Sequence, residues 1–163
     1  MANPGQLVQM LEQRQWTVAV AESLTGGLVT STIVETPGAS EVLRGGIIAY
    51  ATDVKATMLG VDAALLAAGG PVQAEVAAEM ATGVAQRLGA TMGISTTGVA
   101  GPGPNDGVEA GTVFVAVSAP GVETQVRGLA LPGDRAGVRV GAAIAVIGLA
   151  IEVLEALGEP VGS

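Results

Sequence analysis

Histidine and cysteine are both missing from this chain of 163 residues, and lysine, tyrosine, tryptophan and phenylalanine occur once each. Their absence excludes Ser-His-Asp and Cys-His nucleophile systems, disulfides and the usual zinc sites. Any nucleophilic chemistry has to run on Ser, Thr, Lys, Tyr, Asp or Glu, and no metal or other cofactor is expected. Positive charge is also scarce: seven Lys and Arg stand against fifteen Asp and Glu, a net charge of −8, and the seven form no cluster. That balance argues against a duplex nucleic-acid or anionic-membrane surface and leaves small-molecule or protein partners. Long apolar runs are missing as well. The longest, Val140 to Ile151, has twelve residues, too few to span a bilayer. The amino-terminal MANPGQLVQMLEQRQ lacks the basic-then-apolar pattern of a signal peptide, so a cytoplasmic location is expected.

What is present reads as one domain over residues 1–163, large enough for a sizeable core, with no linker and no internal repeat. Leu7, Val8 and Leu11 recur at helical spacing, and Trp16 to Ala21 form the nearly unbroken apolar run of a strand buried on both faces. The pattern then predicts a helix over 25–35, a strand over 46–51, short helices over 52–60 and 62–68, and a longer helix over 73–88. Strands follow at 91–97, 112–117 and 122–131, the last two an antiparallel pair, and Asp134 caps a final helix reaching about Leu157. The order predicts an α/β fold, a three-layer α/β/α sandwich on a mixed, mostly parallel sheet.

Two places carry more polar chemistry than their structure requires. At the seam between the first strand and the next helix stands Glu22-Ser23-Leu24-Thr25-Gly26-Gly27, where one cap and one glycine would suffice. Thr25, Gly26 and Gly27 offer backbone N–H groups to a phosphate or a developing oxyanion, or else serve as a cap with close helix–strand packing. The solitary Tyr50 and Lys55 stand five residues apart at the end of the second predicted strand. Compositional bias accounts for single survivors of each. Chemistry offers another account: a desolvated lysine can lose its proton where arginine cannot, and a serine without histidine needs such a base. If the first two strands are parallel neighbours, Ser23, Tyr50 and Lys55 meet at the carboxyl edge of the sheet. The Gly/Pro-rich 98–111 is a functional loop or a solvated connection, and Arg139 a surface charge or an anion ligand.

Taken together, VAESLTGG (20–27), GGIIAYATDVK (45–55), TTGVAGP (96–102), GTVFVAV (111–117) and PGDRAGVR (132–139) resemble the CinA carboxy-terminal domain family, over residues 6–155. That family includes stand-alone nicotinamide mononucleotide amidohydrolases. The resemblance implies a bacterial cytoplasmic enzyme that hydrolyses the carboxamide of nicotinamide mononucleotide to nicotinic acid mononucleotide and ammonia, within a three-layer α/β/α fold. It implies Ser23 as nucleophile, Tyr50 as proton relay, Lys55 as general base and Arg139 as phosphate or substrate binder. Glu22, Thr25, Gly26, Gly27, Gly98 and Gly101 complete the expected substrate-binding set. The expected partner is a small-molecule nucleotide, with self-association into a homo-oligomer as the family's habit.

Leu24 stands where the family often has cysteine, Gln73 where it often has serine, and Thr52 at an asparagine-like position. The pyrophosphatase-like domain that some relatives carry at their amino terminus is not expected, nor is any activity seated in it. The competing expectation is a non-catalytic nucleotide-sensing or competence-associated interaction domain of the same fold, which has no need of the full Ser23, Tyr50 and Lys55 set.

Overall fold

We analysed the protein as a computed structural model, which describes residues 2–160. Residue 1 and residues 161–163 of the expected domain lie outside the described residues. The strand Val18–Glu22 (β1) is buried throughout, as its unbroken apolar run predicts. Because strand side chains alternate, Val18 and Val20 enter one core while Ala19 and Ala21 enter another on the opposite face.

Around β1 the chain lays down α1 (Pro4–Arg14), α2 (Leu28–Val34), α3 (Ala39–Val42), β2 (Leu43–Ile48), α4 (Thr52–Leu59), α5 (Ala63–Gly69), α6 (Ala74–Leu88), β3 (Met92–Gly98), β4 (Thr112–Ser118), β5 (Gln125–Ala130) and α7 (Arg135–Ala156). The five strands form one mixed sheet in the order β2-β1-β3-β4-β5. β1 pairs in parallel with both β2 and β3, whereas β4 runs antiparallel to β3 and β5. Helices α1, α2, α3 and α7 cover one face, and α4, α5 and α6 the other. The expected α/β/α sandwich is the architecture found, with four strands running one way and β4 the other.

Small residues set how close the layers come. A Cβ on Gly93 of β3 would sit 1.8 Å from the Ala81 carbonyl oxygen of α6, and one on Gly83 of α6 would sit 1.9 Å from the Leu59 carbonyl oxygen of α4. Glycine is therefore required at both crossings, and α4 is drawn tightly to α6.

The structure departs from the sequence expectations at element ends. The helix predicted from residue 25 starts at Leu28, because Gly26 and Gly27 adopt φ of 59° and 105° and form a separate turn. The strand predicted over 46–51 occupies 43–48, its glycines concealing an edge strand with alternate residues exposed. The one-turn α3 was not anticipated. The apolar run in 140–151 is part of a helix of 22 residues, long and apolar enough by length and composition to cross a membrane. Here that helix packs on the sheet, with Val138, Ala142, Val146, Ile147, Ala150 and Leu154 in the core.

Candidate active site

β1 lies between two parallel neighbours, and its register places Glu22 beside Ile48 of β2 and Thr96 of β3. The connection from β1 leaves towards one neighbour while the next strand after β2 returns on the other side. That switch point opens a crevice at the carboxyl ends, the usual ligand position in α/β sheets. The Ser23 N–H donates to the Thr96 carbonyl at 3.1 Å, so the nucleophile candidate is fixed to the sheet where β1 ends.

Glu22 is fully buried and turns away from the crevice. Its carboxylate accepts from the backbone N–H of Val29 (2.9 Å) and Thr30 (3.0 Å) and from the Thr30 hydroxyl (2.7 Å). A carboxylate on the first N–H groups of α2 satisfies orphan donors and opposes the helix dipole. The Thr25 hydroxyl is paired with that of Thr96 at 2.7 Å. Arg139 reaches back from α7 and donates from Nε to the Leu24 carbonyl (2.9 Å) and from Nη2 to the Thr25 carbonyl (3.0 Å). Glu22, Thr25 and Arg139 therefore hold the turn in shape.

Lys55, on α4, is fully buried, and its Nζ donates to the Ser23 hydroxyl at 2.8 Å, to the Ala49 carbonyl at 2.7 Å and to the Tyr50 carbonyl at 3.2 Å. Burial lowers its pKa from 10.5 to about 8, since the ammonium loses hydration that these neutral acceptors replace only in part. The acceptor set dictates what deprotonation does. The two carbonyls can only accept, so they keep two N–H bonds of the neutral amine, and the freed lone pair is left facing the Ser23 hydroxyl. The geometry thus converts a neutral lysine into a base aimed at one oxygen.

Ser23, Lys55 and Tyr50 line one cavity of about 540 Å³, within the usual range for small-molecule sites. Its other walls come from Leu24, Thr52, Pro71, Val72, Thr97 and the 98–106 part of the glycine-rich loop, Gly98 and Gly101 included. Tyr50 is 62% exposed, and its hydroxyl lies 3.3 Å from Nη2 of Arg135, whose Nη1 donates to the Gly101 carbonyl at 2.7 Å. Arg135 joins two rims of the cavity.

The structure therefore brings Ser23 and Lys55 into contact and adds the backbone, not the hydroxyl, of Tyr50. The expected relay through the Tyr50 hydroxyl is not the arrangement found, because that hydroxyl faces Arg135. Glu22, Thr25, Gly26, Gly27 and Arg139, expected as substrate-binding, are not among the residues lining the cavity. Arg135 was missed. It and Arg139 lie four residues apart on the same side of α7, and no sequence pattern tells which reaches the crevice. Gln73 occupies the N-cap position of α6, but its side chain neither caps the helix nor lines the cavity: its amide donates to the Leu65 and Gly70 carbonyls at 2.9 and 2.8 Å and fastens the α5–α6 connection.

An α/β/α domain with a serine and a desolvated lysine at its switch point is the class that these observations define. The family profile described as the CinA C-terminal domain matches residues 2–154, and the chain belongs to that family. A CinA-like protein of Frankia casuarinae is 48% identical over 153 residues, which cover 94% of this chain and 35% of that protein. The chain spans about a third of the length of the curated relatives it matches. Among solved structures, a CinA superfamily protein from Klebsiella pneumoniae superposes with a TM-score of 0.89 at 28% identity, covering 94% of this chain and 96% of that one. One from Escherichia coli gives a TM-score of 0.84 at 29% identity, covering 94% and 91%.

Proposed function

We propose that this chain is an amidohydrolase that cleaves the carboxamide of nicotinamide mononucleotide, with Ser23 as nucleophile and Lys55 as its base. The observation that carries this reading is the 2.8 Å contact between a buried, pKa-lowered lysine and a serine hydroxyl at the floor of a ligand-sized cavity. Ser23 Oγ attacks the carboxamide carbon as its proton passes to neutral Lys55. The C–N bond then breaks, and the Lys55 ammonium returns the proton to the leaving nitrogen as ammonia. Water repeats the sequence on the acyl-serine and releases the acid. Arg135 is the one guanidinium among the residues lining the cavity and supplies the cation for the phosphate.

Family membership supports the fold and the association with competence-damage proteins; the acyl-transfer reading rests on the Ser23–Lys55 contact, and nicotinamide mononucleotide as the substrate rests on the resemblance to the family's amidohydrolases. An interaction or nucleotide-sensing domain of this fold has no use for a buried lysine with a lowered pKa set against a serine, which is why the enzyme reading is preferred. Ammonia release from nicotinamide mononucleotide by the purified protein tests it. Release that disappears in Ser23→Ala supports the proposal, and no release from the wild-type chain overturns it.

A further inference from the structure

Of the residues lining the cavity, three carry ionisable charge: Lys55, Arg135 and Asp106. Lys55 is engaged with Ser23, and Arg135 is the cation assigned to the phosphate above. Asp106 is the carboxylate that no step of the reaction uses. It stands at the exposed rim, on a tight turn in which the Asn105 N–H donates to the Val108 carbonyl and the Val108 N–H to the Asn105 carbonyl, both at 2.9 Å. Asp106 and Gly107 between them have φ of 47° and 76°, the pattern of a type I′ turn. That turn accounts for a residue of this shape. It does not account for the charge, because asparagine suits the same conformation and carries none.

Nor is the carboxylate used by the fold. It accepts no hydrogen bond among the described residues, and neither Asp106 nor Arg135 belongs to an ion pair there, the one found being Arg127–Glu152. The guanidinium of Arg135 is held by neutral oxygens instead, those of Gly101 and Tyr50. One cavity is therefore lined by a cation and an anion that do not neutralise each other. Such a site is complementary to a ligand that carries both charges.

Nicotinamide mononucleotide is a ligand of that kind, negative at its phosphate and positive at its quaternary ring nitrogen. We propose that Asp106 is the counter-charge for the pyridinium ring and makes the site selective for a cationic over a neutral ring. This rests on the substrate reading above, with Arg135 at the phosphate and Asp106 at the other charge. The ribose hydroxyls are the alternative donors to this carboxylate, and the test separates them from the ring.

Asp106→Asn removes the charge while keeping an oxygen acceptor and the turn. The probes are nicotinamide mononucleotide and its reduced dihydropyridine form, which share carboxamide, ribose and phosphate and differ in ring charge. Affinities are measured by calorimetry in the full chain carrying Ser23→Ala, so that neither ligand is consumed. Asp106→Asn should weaken the cationic form about fivefold, the upper range for an exposed pair, and leave the reduced form unaffected. Added salt should shrink the difference. Equal weakening of both forms assigns Asp106 to the ribose and overturns the proposal, as does unchanged affinity for both. Failure of the underlying reading looks different: neither form then binds the chain with Asp106 intact, which overturns both.

Discussion

Three substitutions separate the roles of the site residues. Ser23→Ala removes the proposed nucleophile without opening a cavity, and turnover should fall by several orders of magnitude with the melting profile retained. Lys55→Arg keeps the charge but gives up the ability to lose a proton near neutrality, so single-turnover hydrolysis should be nearly as slow as in Lys55→Ala. Near-normal chemistry in the arginine variant would reduce Lys55 to an electrostatic clamp. Arg135→Ala should weaken the nucleotide by about tenfold, at the lower end for a charge-assisted contact because its position is exposed, and should leave nicotinamide riboside almost unaffected. Equal losses would show that Arg135 does not read the phosphate. At this scale sequence reading was good at chemistry and poor at direction. The lack of histidine and cysteine pointed to Ser23 and Lys55, but whether the Tyr50 hydroxyl points at Ser23 or at Arg135 depends on a rotamer at an exposed rim.

The connection from β1 to α2 concentrates the structural demands of the site in a few residues. Glu22 closes the start of α2 while the next residue acts as the candidate nucleophile, so a buried carboxylate shapes the turn without facing the crevice. Glu22→Gln, which cannot accept from two backbone N–H groups as a carboxylate does, should lower unfolding free energy by about 1.5–3 kcal/mol, read from urea titration. An unchanged midpoint would mean that water replaces the lost contact. The strand–helix alternation was legible because β1 carries an unbroken apolar run and α6 a clear helical periodicity. The ends were not, because positive φ at Gly26 and Gly27 reads in sequence either as turn or as helix start. The role of Arg139 was hidden for a related reason: its partners are backbone carbonyls, which carry no residue signature.

Over the whole molecule, the Ser23–Lys55 arrangement leaves a mark on stability. Lys55 titrates near 8 when folded and near 10.5 when unburied, so between those values the unfolded chain binds more protons. Stability therefore rises with pH across that window, by an amount on the order of 3 kcal/mol if the full shift is expressed. Unfolding free energy measured across the window should show this slope in the wild type and lack it in Lys55→Met; parallel curves would assign the slope to other groups. The layered fold supplies the desolvation, because α4 carries Lys55 and is held against α6 by the Leu59–Gly83 approach. Fold class was legible from composition and element order, and the solitary Lys55 already suggested a desolvated base, but two of the three acceptors that hold its Nζ are backbone carbonyls, which carry no residue signature.

The most direct test of the central claim, that Lys55 in its neutral form activates Ser23, is the pH dependence of single-turnover ammonia release from nicotinamide mononucleotide. The rate should rise tenfold per pH unit on the acid side and level off above a midpoint near 8, the value that burial imposes on Lys55. A rate independent of pH through that range, or one that falls as Lys55 loses its proton, would contradict the claim and assign activation of Ser23 to another group.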